Sequence, residues 1–270
     1  IYPNVDLIDM KKEIKKNNFF SIISEKLFDE INKRLEKSEQ IILLLNRRGY
    51  SLIQQCSNCG YINNCKKCAV SLTFHTTDNC MHCHYCQELT NINTFCKNCK
   101  TNTMDFKGSG TQKVEQIIKN KFPNSKILRM DTDTVRQKGK HKQILNKFYN
   151  GEADILLGTQ MIAKGLDFKN VTLVGIINAD SGLFFPDFRA GEKVFQLIYQ
   201  VSGRAGRRQK QGTAIIQTYN PNDIYIKTAS TLNIKKFYNI AMAQRQELNY
   251  PPFSRIARIL FLGKNKNKVN

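Results

Sequence analysis

The sequence contains no long hydrophobic run and no leader pattern at its start. The longest apolar stretches, IILLL and VTLVGII, are far shorter than the roughly 20 residues that a membrane-spanning helix requires. We therefore predict a soluble protein with no membrane partner. No basic segment followed by an apolar run opens the chain, so we also expect no secretory signal. The chain starts with Ile1 rather than Met, which predicts that it is a fragment.

Acidic residues are scarce. The 270 residues include 22 Asp and Glu against 42 Lys and Arg, which gives a formal net charge of +20. A surface this basic attracts polyanions, so the charge favours nucleic acid as a partner. The alternative is that frequent Lys, Asn and Ile reflect an AT-rich genome. With 41% hydrophobic residues, the chain can form one large domain or one medium domain with appendages.

Short apolar segments alternate with amphipathic segments along most of the chain. A first helix is predicted over 19–36, where apolar residues recur every four positions. The other predicted elements are strands at 41–45, 126–131, 154–159, 171–177 and 213–219, and helices around 111–122, 142–149 and 192–200. Apolar strands that alternate with helices form parallel sheets covered on both faces. The pattern therefore predicts an α/β domain.

A cysteine-rich segment interrupts this domain. Periodicity is lost over 56–99, which we interpret as a small zinc-binding insertion into an α/β domain formed by 1–55 and 100–222. Residues 223–270 are interpreted as the start of a truncated C-terminal domain. This last part is predicted to be largely helical to about Asn249, followed by a strand at RIARILFL (255–262).

The chain has nine cysteines, and they follow a metal-binding pattern. They occur as Cys56 and Cys59, Cys65 and Cys68, the cluster Cys80, Cys83 and Cys86, and Cys96 and Cys99. Each C-x-x-C offers two thiolates to one tetrahedral Zn²⁺, and two such pairs complete a site. Four pairs within fifty residues, without an export signal, predict reduced thiols that hold two structural Zn²⁺ ions.

The pairing of these cysteines is open at this point, because both sequential and nested arrangements fit the spacing. We favour the nested one, with Cys56, Cys59, Cys96 and Cys99 on one ion, since it joins the two ends of an insertion. In CMHCHYC both overlapping pairs satisfy C-x-x-C, so one thiol is surplus. His82 and His84 are interpreted as non-ligands, because eight thiolates already complete two sites.

Two further motifs occur in the α/β part. ILLGTQMIAKGLDF (155–168) ends a strand in a polar, glycine-containing loop, and ligands bind at the carboxyl ends of parallel strands. YQVSGRAGR (199–207) places Arg204 and Arg207 at the end of a helix. Either segment alone is explained by a core strand with a turn or by a solvated helix end. Together, in this order and about forty residues apart, they are more specific.

With LIDM, LNRRGY, PDFRAGEKVFQL, PPF and the four-pair insertion, the sequence resembles the second, RecA-like motor lobe of superfamily 2 helicases. Within that superfamily it resembles the primosomal protein N′ (PriA) family. The resemblance implies an ATP-dependent 3′-5′ DNA helicase of primosome assembly and replication restart. It further implies a cytoplasmic, nucleoid-associated bacterial protein whose partners are single-stranded and forked DNA and other primosome proteins.

The resemblance also implies roles for individual residues. Arg207 and Arg204 would be arginine fingers that reach the γ-phosphate of ATP. Gly165, Asp167 and Gln200 would line the nucleotide site, and Thr159 with Gln160 would contact the DNA backbone. The family's third pair has the form C-H-x-C, which selects Cys83 and Cys86 as ligands and leaves Cys80 as the extra thiol.

One feature of the family is missing from this sequence. No G-x-x-x-x-G-K-[ST] and no acidic Mg²⁺-binding box occurs, and GSGT (108–111) lacks the lysine of a P-loop. ATP and Mg²⁺ would therefore be shared with another lobe, and we expect the chain to be inactive alone. The alternative interpretation is a non-enzymatic, zinc-dependent protein that binds nucleic acid or a partner.

Overall fold

The computed structural model of the chain describes residues 3–17, 21–45, 52–56, 58–67, 71–75, 78–83, 86–107, 110–131, 134–135, 139–163, 168–183, 187–206 and 211–257. The chain divides into two units, Ile1–Leu232 and Asn233–Asn270. The strands are β1 Asn4–Asp9, β2 Gln40–Leu45, β3 Leu52–Cys56, β4 Thr73–His75, β5 Cys80–His82, β6 Leu89–Thr90, β7 Met104–Lys107, β8 Ile127–Met130, β9 Ile155–Gly158, β10 Val171–Ile177 and β11 Thr213–Thr218. The α-helices are α1 Met10–Asn17, α2 Glu25–Glu36, α3 Thr111–Lys121, α4 Lys140–Tyr149, α5 Ala190–Ser202, α6 Ile224–Ser230 and α7 Ile234–Glu247.

Six strands of the first unit form one parallel sheet in the order β1-β11-β10-β2-β9-β8. The central strands β2, β9 and β10 are buried along their whole length, as expected for a sheet covered on both faces. Since all six strands run the same way, their carboxyl ends lie along a single edge. The α/β class predicted from the alternating pattern is confirmed.

Helix α2 shows how a helix is fixed against this sheet. It begins after Ser24, whose hydroxyl accepts a hydrogen bond from the backbone N–H of Leu27 at 3.2 Å, a typical N-cap. Leu27 and Ile31 are buried in the core, and the helix packs on β2 and β10. A β-carbon on Gly175 would lie 3.0 Å from Cδ1 of Leu27, so the glycine permits this close approach.

The start of the chain differs from the sequence prediction. The helix predicted over 19–36 begins only at Glu25, and residues 21–23 are not helical, because the Ser24 cap stops the helix there. Ile23 nevertheless belongs to the core. Strand β1 and helix α1 were not predicted. Within the described sheet, β1 is a half-buried edge strand that pairs with β11 alone.

A second sheet follows β2 along the chain. It is antiparallel, with five short strands in the order β6-β5-β4-β3-β7, and it precedes α3. Its first and last strands pair with each other, with Cys56 opposite Met104. Its two small apolar clusters contain cysteines and few other residues, so the packing available to stabilise it is limited.

The unit Asn233–Asn270 contains α7. Its N-cap Asn233 accepts a hydrogen bond from the N–H of Lys236 at 2.9 Å, and the guanidinium of Arg245 donates to the carbonyl of Pro251 at 2.6 Å. The predicted helical stretch is confirmed. Of the strand predicted over 255–262, the described residues 255–257 are not in a strand and the rest lies outside the described residues. Among the helices that the structure describes, none has the length and apolar character needed to cross a membrane.

Candidate functional site

Four of the predicted zinc ligands come together where β3 and β7 pair. The Sγ atoms of Cys56, Cys59, Cys96 and Cys99 all lie within 4.8 Å of one another. The Sγ atoms of Cys56 and Cys99 are 3.5 Å apart, and those of Cys59 and Cys96 are 3.7 Å apart. Four sulfurs at 2.3 Å from a tetrahedral Zn²⁺ would be separated by about 3.8 Å. The group therefore fits zinc, in the nested arrangement that the sequence favoured.

Polar groups surround these sulfurs. The hydroxyl of Thr103 lies 3.0 Å from Sγ of Cys56, and that of Thr101 lies 3.0 Å from Sγ of Cys99. The hydrogen bond from Thr101 lowers the pKa of Cys99 to about 6, whereas burial raises the pKa of Cys96 to about 12. Neighbouring buried thiols can all be deprotonated only if a bound cation compensates the charge of their thiolates.

Three of the C-x-x-C pairs share one backbone turn. The N–H of the first cysteine donates to the carbonyl five residues on, and the residue four positions on has positive φ and donates back to the cysteine carbonyl. The sets are Cys56 with Gly60 and Tyr61, Cys83 with Gln87 and Glu88, and Cys96 with Lys100 and Thr101, with N to O distances of 2.8 to 3.0 Å. The repetition identifies Cys83 and Cys86 as a pair of the same kind as the outer two.

The second group contains Cys65, Cys83 and Cys86, whose Sγ atoms also lie within 4.8 Å of one another. The Sγ atoms of Cys65 and Cys86 are 3.6 Å apart, again close to the separation in a tetrahedral zinc site. Cys68, the fourth predicted ligand, lies outside the described residues. Cys80 belongs to neither group. It lies in β5, opposite His75 of β4.

The histidines of the cysteine cluster have other contacts. Nε2 of His82 is 2.5 Å from a carboxylate oxygen of Asp78, and its ring stacks on that of His75 with centroids 4.0 Å apart. Among the described residues, His82 is in neither cysteine group. His84 lies outside the described residues.

The residues predicted to contact DNA lie at the carboxyl end of β9. The N–H of Thr159 donates to the carbonyl of Met130, at the end of β8, at 3.3 Å. Gln160 begins a 3₁₀ helix, Gln160–Ala163, that packs against α5. Both side chains are half-buried. Their backbone is thus fixed by two neighbouring strand ends.

Two residues predicted to act at the nucleotide site, Gln200 and Arg204, lie at the other end of the strands. Gln200 is exposed in the last turn of α5, and Arg204 follows the helix directly. The chain then reaches the start of β10, where the N–H of Gly206 donates to the carbonyl of Val171 at 3.0 Å. Three further predicted site residues, Gly165, Asp167 and Arg207, lie outside the described residues.

A buried carboxylate at the carboxyl edge of the sheet was not predicted from the sequence. Asp180 follows β10 and accepts hydrogen bonds from the hydroxyl of Thr218 at 2.8 Å, the N–H of Tyr219 at 2.8 Å and the amide of Asn220 at 2.9 Å. Burial raises the pKa of Asp180. These bonds join the ends of β10 and β11. In the sequence, Asp180 is marked only as a polar residue after an apolar strand.

The parallel sheet and its motifs define the class of the protein. Residues 84–209 match the family model of the helicase conserved C-terminal domain. The chain therefore has the α/β fold of a RecA-like helicase C-terminal lobe, with an inserted cysteine-rich module whose two cysteine groups could hold zinc.

Relatives narrow this class to one family. The chain is 45% identical over 259 residues to the replication restart protein PriA of Bacillus subtilis (strain 168), covering 96% of the chain and 32% of that protein. It is 43% identical over 266 residues to that of Chlamydia muridarum (strain MoPn / Nigg), covering 98% of the chain and 35% of that protein. The chain belongs to the family of the replication restart protein PriA, as its motifs suggested. It spans about a third of the length of these curated relatives.

Proposed function

We propose that the chain is the C-terminal motor half of an ATP-dependent 3′-5′ DNA helicase that acts in primosome assembly and replication restart. The observation that carries the proposal is the distribution of the motif residues over the sheet. Thr159 and Gln160 lie at the carboxyl end of β9, whereas Gln200 and Arg204 lie beside the amino end of β10. The predicted DNA contacts and the predicted nucleotide contacts thus lie at opposite ends of one sheet, as expected for a motor that binds nucleic acid and nucleotide at different places.

At the nucleotide end, Arg207 and Arg204 would stabilise the charge that develops on the γ-phosphate. Gln200, Gly165 and Asp167 would position the nucleotide. ATP and Mg²⁺ would be bound mainly by another lobe that carries the P-loop, so hydrolysis requires both lobes. The chain alone would be inactive.

At the other end, Thr159 and Gln160 would hold phosphates of the tracking strand through hydroxyl, amide and backbone N–H donors. Single-stranded and forked DNA would be the nucleic-acid partners. Such contacts to the backbone are independent of sequence, as a restart helicase that acts at any fork requires.

The cysteine module would hold two structural Zn²⁺ ions, one on Cys56, Cys59, Cys96 and Cys99 and the other on Cys65, Cys68, Cys83 and Cys86. The ions would supply folding energy to a module with little apolar core. We place the module at 56–99, the motor lobe at 1–55 and 100–222, and the start of a further domain at 223–270. Other primosome proteins would be partners, and the site of action would be the bacterial cytoplasm, at the nucleoid.

The test is reconstitution with a separately produced lobe that carries the P-loop. We expect ATP hydrolysis that single-stranded DNA stimulates, and a loss of at least about a hundredfold for Arg207→Ala, since arginine fingers contribute that much or more to phosphoryl transfer. Arg255→Ala, an exposed arginine of the second unit, serves as the matched control and should retain full activity. An unchanged rate for Arg207→Ala would refute the motor proposal.

A second function is favoured by the two cysteine groups together with the net charge of +20. A zinc-dependent protein could bind nucleic acid or a partner without hydrolysing ATP. The reconstitution separates the two functions. DNA binding that depends on zinc, with no ATPase activity after addition of the second lobe, would establish this second function instead.

A further inference from the structure

Helix α1 presents an unusual concentration of positive charge. Its eight residues, MKKEIKKN, include Lys11, Lys12, Lys15 and Lys16, and all four lysines are exposed. Lys16 forms an ion pair with Glu25 at 2.7 Å. Within the described part of the chain, no carboxylate pairs with Lys11, Lys12 or Lys15. We call these three lysines the α1 lysine face.

The opposite side of the helix fixes how this face is presented. Met10 and Ile14 are buried in a small cluster with Tyr219, and the N–H of Lys11 donates to the carboxylate of Asp9 at 2.9 Å. The helix is too short to be stable by itself, so this packing holds it. The lysines are therefore carried by a positioned element of the fold.

Part of this charge destabilises the helix. Lys11 and Lys15 are four residues apart, as are Lys12 and Lys16, and like charges at that spacing repel each other by about 0.2–0.5 kcal/mol per pair. The only carboxylate of the helix, Glu13, accepts a hydrogen bond from the backbone N–H of Glu25 at 2.6 Å. A bound anion would relieve this repulsion.

The α1 lysine face lies on the same edge of the sheet as the predicted DNA contacts. Helix α1 follows the carboxyl end of β1, and Thr159 follows the carboxyl end of β9. In the strand order, four steps separate β1 from β9, which corresponds to about 19 Å at roughly 4.8 Å per step. A nucleic-acid strand with one phosphate per roughly 3.4 Å spans that distance with about six phosphates.

We propose that the α1 lysine face is a second contact for the phosphate backbone of single-stranded nucleic acid, at the far end of the edge that begins at Thr159. The stem of Lys11 also lies next to the first cysteine pair, since its Cε is 3.7 Å from the position of a β-carbon on Gly60. The strand would therefore leave the motor lobe beside the cysteine module. This inference rests on the proposed function, because Thr159 belongs to the DNA contacts proposed there.

The test compares two triple variants with the same net charge. Lys11→Gln/Lys12→Gln/Lys15→Gln removes the face. Lys37→Gln/Lys126→Gln/Lys147→Gln removes three exposed lysines that precede β2, β8 and β9, at the opposite edge of the sheet. Both change +20 to +17. Binding of a fluorescent 20-nucleotide single strand is measured by anisotropy across a salt series, and circular dichroism and zinc content confirm that both variants are folded.

We expect the first variant to reduce the slope of log affinity against log salt by about 2, since each lost contact to single-stranded DNA removes about 0.7. At 0.1 M salt this corresponds to a loss on the order of a hundredfold, while the control variant changes the slope by less than about 0.5. Equal losses in both variants, or no loss in the first, would overturn the inference.

Two further results distinguish failure of the inference about the α1 lysine face from failure of the proposed function. If the unaltered chain binds no DNA, both fail. If Thr159→Val weakens binding but the α1 variant binds like the control, only this inference fails. Binding to vesicles with 30% phosphatidylserine that the α1 variant alone loses, with unchanged DNA binding, would assign the face to another anionic surface and would also overturn it.

Discussion

Gly60 and Tyr219 are in direct contact, and through them the first cysteine pair rests on the end of β11. A β-carbon on Gly60 would lie 2.9 Å from Cδ1 of the Tyr219 ring. Gly60 has a φ of +73°, and its N–H closes the turn around Cys56. The residue is therefore constrained by its backbone angle and by its neighbour at once.

Gly60→Ala should consequently lower the free energy of unfolding by about 2–4 kcal/mol. About 1–2 kcal/mol comes from the left-handed backbone, and the rest from displacement of the Tyr219 ring. Gly151→Ala is the matched control, since Gly151 has a φ of +79° but no atom within 4 Å of the added carbon. Urea unfolding measures both. Equal losses would show that the contact with Tyr219 contributes nothing.

The cysteine variants should separate ligands from the extra thiol. Cys80→Ser should retain about two zinc ions per chain by elemental analysis, because Cys80 is in neither sulfur group. Cys86→Ser should lose about one, since a tetrahedral structural site needs four ligands. Loss of an ion from Cys80→Ser would contradict the assignment of Cys83 and Cys86.

Removal of zinc should unfold the second sheet selectively. The strands β3 to β7 enclose only small apolar clusters, so metal binding would supply most of their folding energy. Hydrogen exchange after chelation should show loss of protection over 52–107, while β2 and β10, which are buried in the main core, stay protected. Loss of protection in β10 would show that the main sheet depends on the module.

The stability of the chain should depend on pH through Asp187. Hydrogen bonds from Arg189, with help from Lys193, hold the pKa of this carboxyl well below its usual range. A lowered folded-state pKa stabilises the protein above the unfolded value of about 3.9, and the benefit is lost as pH falls below it. Asp187→Asn should therefore lower the free energy of unfolding by up to about 1 kcal/mol at pH 7. The value is small because Arg189 is half exposed.

Thermal unfolding from pH 7 to pH 2.5 checks this prediction. The difference in melting temperature between Asp187→Asn and the unaltered chain should narrow steadily below about pH 4. Asp29→Asn, at an exposed position of α2, serves as the control for removal of one carboxylate. A constant difference for Asp187→Asn across the range would mean that its charge is irrelevant to stability.

The main sheet was predictable because its central strands are continuous apolar runs. β10 and β2 are buried on both faces. A strand buried on both faces consists of consecutive apolar residues, which can be recognised in the sequence. In the described sheet β1 is an edge strand, and Asp6 and Asp9 interrupt its apolar residues, so it was missed. The strands of the cysteine module are two to five residues long, too short for periodicity to appear.

The cysteine groups could be predicted from spacing, because C-x-x-C and the count of thiolates constrain metal sites strongly. The position of Asp180 could not, since it depends on three donors supplied by the end of β11, about forty residues later. Contacts between distant segments leave no local signal. The same holds for Gly60 and Tyr219, although the glycine directly after Cys59 marks a turn.

The nested arrangement of the outer cysteines has a consequence for the length of the chain between β2 and α3. Cys56 and Cys99 are 43 positions apart in sequence, yet their sulfurs are 3.5 Å apart. A cross-link closing a loop of that size removes about 4 kcal/mol of chain entropy from the unfolded state. For the parallel sheet, the whole segment between β2 and α3 would then behave as a connection of a few residues. The interior of the module could lengthen or shorten between related proteins without disturbing the crossover from β2 to α3.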